Sequence, residues 1–194
     1  RGLEFAVFSG SSPDADFEKV MSFSKSDLSV NEEVVSIEGA SLLASKTKPS
    51  GWELFVSTEK RISYPKPLIN FQKPGTGVWT IDRIHGADGL NSLSPDAMET
   101  VASSQKGETL QVKDPVSFRI KEGSTELAYC HHPFSWASSN TGLSRESGAG
   151  EGFQLVSENV LPRGNSWDVA CSRLTDRLLV PPIGAFSDLP PISL

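Results

Sequence analysis

Cys130-His131-His132 is the one run in this sequence whose residue types could do chemistry directly. A thiolate beside an imidazole can act as a nucleophile with its general base, and Cys and His side chains can hold zinc. The spacing argues against both. Neighbouring residues of a strand point to opposite faces, so His131 and His132 do not chelate one ion well. The only other histidine, His85, lies 45 residues upstream of Cys130, which matches no zinc motif. His85 could complete a Cys–His dyad only if the fold carried it to Cys130. A buried thiol on a strand, followed by exposed histidines before Pro133, is the preferred reading. No catalytic residue, metal or cofactor is expected.

Other candidates are weaker. Glu32-Glu33 and Asp14/Asp16 sit in polar, turn-like segments and read as solvated surface. Lys73-Pro74-Gly75-Thr76-Gly77 has the composition of a phosphate loop but not the strand–GxxxxGK[ST]–helix order around it, so a β-turn is expected. Trp52, Trp79 and Trp167 lie in strand-like runs and are expected in the core. Trp136 sits at the edge of a Ser-rich stretch, in Pro133-Phe134-Ser135-Trp136. There an exposed ring could stack on a sugar or plug a neighbouring subunit, although packing onto its own loop is simpler. Cys130 and Cys171 read as two buried free thiols rather than one long-range bridge.

These residues need strands to position them. Turn signals recur every ten to fifteen residues, as at Pro49-Ser50-Gly51, Asp88-Gly89, Glu122-Gly123 and Pro162-Arg163-Gly164-Asn165, which suits a β-sandwich or barrel. The runs between predict strands over Leu3–Phe8, Val34–Leu43, Trp52–Thr58, Gly77–Ile84, Thr109–Val112, Val116–Ile120, Glu126–Cys130, Gly152–Ser157 and Trp167–Leu174. Trp52, Leu54 and Val56 alternate with Glu53, Phe55 and Ser57, and the Trp79/Ile81 face is the better core candidate. Two segments carry helical signal. Phe17, Val20 and Met21 follow an i, i+3, i+4 pattern within Asp14–Phe23, and Ser94-Pro95-Asp96 opens a capped helix to Val101. Ser135–Gly150 reads as a long surface loop.

Composition sets the class. The chain has 194 residues, 37% hydrophobic and 22% charged, which fits one globular domain rather than disorder. Ten Phe and four Trp against two Met favour packed sheets over a helical bundle. A formal charge of −6 and no Lys/Arg run argue against a surface given over to nucleic acid. No stretch approaches the roughly 20 apolar residues of a membrane helix. A start at Arg1 without a Met fits a processed product with no signal peptide in view.

The tail is the most distinctive segment. Val180-Pro181-Pro182-Ile183-Gly184-Ala185-Phe186-Ser187-Asp188-Leu189-Pro190-Pro191-Ile192-Ser193-Leu194 interleaves two Pro-Pro pairs with large apolar residues. Proline fixes φ and removes a donor, so residues 181–194 predict an extended arm that supplies no ladder hydrogen bonds. Ile183, Phe186, Leu189, Ile192 and Leu194 are too apolar for a free linker. They, with Trp136, are the candidate subunit-interface residues.

The motifs Trp167-x-Val169-x-Cys171, Val180-Pro181-Pro182 and Asp188-Leu189-Pro190-Pro191 before Leu194 resemble the end of the small coat protein of comovirus- and fabavirus-like plant viruses (Secoviridae). The likeness covers about the last 30 residues, and this chain is shorter between the Trp-x-Val-x-Cys run and the first Pro-Pro pair. It implies an all-β antiparallel jelly-roll β-sandwich with one or two short connecting helices over residues 1–180, and an extended Pro-rich arm over 181–194. It also implies a structural capsid subunit, not an enzyme, that assembles with a larger coat protein and copies of itself into an icosahedral shell. Its place would be the virion, reached through the host cytoplasm, with host-receptor or vector contacts, genomic RNA met only indirectly and no membrane. The start without Met suits release from a viral polyprotein. The rival readings are a carbohydrate- or protein-binding β-sandwich module and, more remotely, a hydrolase built on Cys130 and His85.

Overall fold

The computed structural model describes residues 4–104, 109–120, 123–133, 138–148, 152–176, 179–180 and 192–193. In chain order the strands are β1 (Glu4–Ser9), β2 (Glu18–Ser24), β3 (Val34–Ala44), β4 (Trp52–Lys60) and β5 (Val78–Gly86). There follow β6 (Leu93–Ser103), β7 (Thr109–Arg119), β8 (Thr125–Pro133), β9 (Asn140–Glu146) and β10 (Phe153–Ser157), then the short β11 (Leu179–Val180) and β12 (Ile192–Ser193). Every ladder joining these strands is antiparallel. Helix among the described residues is confined to two 3₁₀ turns, Lys66–Phe71 and Leu90–Ser92. The chain is all-β, as its turn spacing predicts.

Two four-stranded sheets carry the fold, in the orders β3-β4-β5-β6 and β10-β9-β8-β7. Each follows chain order, as a meander does. The non-consecutive neighbours that distinguish a jelly roll do not occur among the described pairings.

In the β3–β6 sheet the central strands β4 and β5 are buried on both faces. Leu54, Val56 and Ile84 pack with Phe23, Leu28, Val34, Ile37 and Leu93 on one side, where the β1–β2 hairpin and the chain after it lie. Phe55 and Ile81 pack on the other with Val112, Leu127 and Tyr129 of the second sheet. The alternation along β4 is real, but it divides two cores rather than core from solvent. Burying each such side chain stabilises the fold by about 1.5–3 kcal/mol.

Charged side chains also join the sheets. Arg83 of β5, 7% exposed, donates from Nη1 to Glu146 Oε1 of β9 at 2.8 Å and from Nε to Glu99 of β6 at 2.7 Å. Its guanidinium lies 5.2 Å from the Phe153 ring centroid and 3.6 Å from Glu53 Oε2. Arg119 Nη2 donates to Glu53 at 3.0 Å, and Lys46 and Thr125 both donate to Glu146 Oε2. Across the interface Glu146 thus meets Arg83 and Lys46, and Glu53 meets Arg119, while the Arg83–Glu99 pair lies within one sheet.

Several segments depart from what their local sequence predicts. Asp14–Phe23 is not a helix: β2 runs through it, with Met21 and Phe23 turned inward two residues apart. The capped pattern at Ser94–Val101 gives way to β6, whose pairing with β5 outweighs local propensity. β6 is an edge strand, the position in a sheet that tolerates Pro95. Asp114-Pro115 does not split two strands. It forms a bulge within β7, with Asp114 at φ 55° and its N–H donated to Ser57 Oγ. Ser135–Gly150 contains β9 rather than one long loop, and Trp167–Leu174 is turn and bend rather than strand. The tail does supply ladder bonds: Ile192 and Ser193 follow the last proline, keep their N–H groups, and pair with Val180 and Leu179.

Candidate functional site

β8 carries the candidate chemistry, and the fold separates its members. Cys130 is buried with its Sγ 3.3 Å from Ser139 Oγ. Burial pushes its pKa up against the lowering effect of Ser139 and Arg173, so the thiol stays protonated and a poor nucleophile. His85 is on β5 in the opposite sheet, paired with Glu53 and Ser94, and forms no dyad with Cys130. His131 is buried, not exposed as expected, and burial lowers its pKa. The His132 side chain lies outside the described residues.

Cys171 is exposed rather than buried, because its segment makes only an isolated parallel bridge to Ser139 instead of entering a sheet. Ser139 extends the β9 line, which runs beside Cys130 of β8. The two cysteines therefore flank an intervening strand, roughly 9–10 Å apart at normal strand spacing, beyond the reach of a disulfide. Both are free. A thiol reagent should modify Cys171 at once and Cys130 at least about 100-fold more slowly, since its exposure requires the sandwich to open. Equal labelling rates would show that the core around β8 is not closed.

The chain after β10 builds a surface instead of a strand. Val160 donates to the Thr141 carbonyl, and Thr141 Oγ1 donates to the Ser172 carbonyl, tying both ends of the segment to β9. Arg173 Nη1 reaches Asp114 Oδ2 at 2.9 Å. Between these ties, Arg163 bridges Asn140 Oδ1 and the Val169 carbonyl, while Asp168 Oδ2 accepts from the Gly164 N–H. The result is a pinned turn that holds Trp167 outward, 92% exposed. Leu161 and Val169 of the same segment and Leu155 and Val156 of edge strand β10 are exposed as well. Trp167 is thus not core, contrary to its strand-like sequence; Trp79 is buried and Trp52 packs partly against the first core.

A polar cleft of about 290 Å³ opens between Lys60, Thr80, Thr100 and the Asn31-Glu32 loop. Beneath it the fully buried Asp82 accepts from Lys60 at 3.0 Å, Thr100 at 2.6 Å, Thr80 at 3.0 Å and Thr58. Both carboxylate oxygens are doubly engaged, so Asp82 has no free lone pair for base catalysis. Glu33 pairs with Arg61 on the surface. The phosphate-loop-like run is a turn whose Gly77 N–H meets Glu59 Oε1 at 2.7 Å. No group of His, Cys, Asp and Glu among the described residues could hold a metal, and no described helix is long and apolar enough to cross a membrane.

No protein-family model, curated protein or solved structure matches this chain. Of the interface candidates, Trp136, Ile183, Phe186, Leu189 and Leu194 lie outside the described residues, and Ile192 is described only by its backbone in β12. The exposed surface around Trp167 is a site the sequence reading missed. Its signal was present: Gly164-Asn165-Ser166 and Asp168 are turn formers on both sides of the tryptophan.

Proposed function

We propose that this chain is a non-enzymatic structural subunit, an antiparallel β-sandwich that assembles with a larger coat protein and copies of itself into an icosahedral viral shell. The observation that carries the reading is Trp167. A tryptophan can bury 150–250 Å² on association and is the residue type most enriched at interface hot spots. Here it stands on a turn already ordered by side-chain hydrogen bonds, so docking costs little further entropy. The coat-protein-like tail motifs and a sandwich braced by buried ion pairs support the same reading. The virion is then its location.

Trp167→Ala tests it. The isolated chain should melt as before, because the ring makes few contacts within its own subunit and such surface changes stay within about 0.5 kcal/mol. Association with copies or the larger partner should weaken about 30-fold or more, measured by sedimentation. Unchanged association would remove Trp167 from the interface.

The second reading, a carbohydrate-binding module, is favoured by the same ring, since Asn140, Arg163 and Asp168 beside it could hold sugar hydroxyls. Quenching of Trp167 fluorescence by oligosaccharides, with unimpaired assembly of Trp167→Ala, would select it.

A further inference from the structure

Between the two four-stranded sheets lies a second cleft, of about 120 Å³. Val101 of β6, Val112 of β7 and Phe153 of β10 give it apolar walls, and Leu155, 52% exposed, stands at its mouth. Tyr129 and His131 of β8 line it too. The Tyr129 hydroxyl is occupied by Ser144 Oγ at 2.9 Å. His131, only 5% exposed, differs: its Nδ1 is buried with no hydrogen-bond partner. Leaving such a group unpaired costs about as much as a lost hydrogen bond, and native proteins rarely do it without cause.

We propose that this cleft binds one small amphipathic ring, phenol in size and chemistry, whose apolar edge packs on Val101, Val112 and Phe153 and whose hydroxyl donates to the His131 imidazole. An apolar cavity of about 150 Å³ takes up benzene, so this cleft of about 120 Å³, open on the Leu155 side, has room for no more than one such ring, its outer edge at the mouth. The terminal torsion of histidine is broad and two-fold in character, so a half-turn exchanges Nδ1 with the opposite ring edge and turns it to a ligand. Burial favours the neutral ring, which can accept the proton of a hydroxyl. Trp167 does not line the cleft, and occupancy of the cleft does not depend on the assembly role.

The test is titration of the full chain with phenol and, separately, with toluene, followed by NMR of the histidine ring resonances. Phenol at millimolar concentration should shift His131 saturably, and toluene, of the same shape without the hydroxyl, should bind about tenfold more weakly. Leu155→Trp, a change at an exposed edge position, should block the mouth and abolish the phenol shift while leaving the melting temperature in place. Any one of three results overturns the proposal: His131 resonances unmoved by phenol, toluene binding as well as phenol, or phenol binding intact in a folded Leu155→Trp protein.

Discussion

Replacing Arg83 by Met should destabilise the fold by about 3 kcal/mol, because it removes the cation shared by two buried carboxylates and leaves Glu146 with Lys46 alone and Glu53 with Arg119 alone. Glu53 and Glu146 have side chains only 4% and 10% exposed, and Arg83 lies against both. Burial would raise the Glu146 pKa, but hydrogen bonds from Arg83, Lys46 and Thr125 outweigh it and hold the carboxyl at about 2. A pKa depressed in the folded state contributes stability that is full above the ordinary carboxylate range near 4.5. That stability is lost as pH falls toward about 2. Without Arg83 the Glu146 carboxyl keeps only Lys46 and Thr125 and its pKa is held down less, so the variant's deficit should narrow as the pH is lowered from 7 to 3. Urea unfolding at the two pH values measures both effects. Arg61→Ala is the internal contrast, because Arg61 and Glu33 are 60% and 55% exposed and their pair should be worth less than about 1 kcal/mol. Equal losses in the two variants would mean that the buried network does not brace the sheets.

Gly77→Ala should be as damaging, about 3 kcal/mol or more, through the backbone alone. A Cβ at Gly77 would lie 1.9 Å from the Lys60 carbonyl oxygen and 2.7 Å from its carbon. Neither atom belongs to a flexible side chain, so the β4–β5 ladder itself must part, beginning at the Lys60–Val78 pair. Loss of that end also disturbs the Lys60–Asp82 contact and the Gly77 hydrogen bond to Glu59. Gly75, two residues earlier, has nothing within 4 Å of an added Cβ, so Gly75→Ala carries only the strain of its φ of 74°. Thermal melting of the two variants separates the effects; a Gly77→Ala protein as stable as Gly75→Ala would contradict the close approach.

The strands that were legible in the sequence are those with apolar alternation, such as β3, β4 and β5, whose side chains fill the two cores. β9 escaped because Asn140-Thr141-Gly142-Leu143-Ser144 has no apolar period. It is held by small residues, with Gly142 against the Tyr129 ring and Ser144 on its hydroxyl. β6 carried a genuine helix-start pattern that only pairing with β5 overrules, and the Asp114-Pro115 pair that reads as a turn is absorbed by a bulge held by Ser57. The candidate site was less legible still. Cys130, His131 and His85 are chemically suggestive in one dimension, yet strand pairing places them in different sheets or seals them. Trp167 read as core because it begins an alternating Trp-x-Val-x-Cys run. Its exposure follows from side-chain ties by Arg163, Asp168 and Asn140 that no periodicity encodes.

The assembly role is tested most directly by size-exclusion chromatography and negative-stain microscopy of the native material. The structural-subunit reading predicts that this chain elutes in particles of uniform size, together with a larger partner chain. A chain that elutes alone at its monomer mass of 20.9 kDa, with no particles in the field, would contradict it.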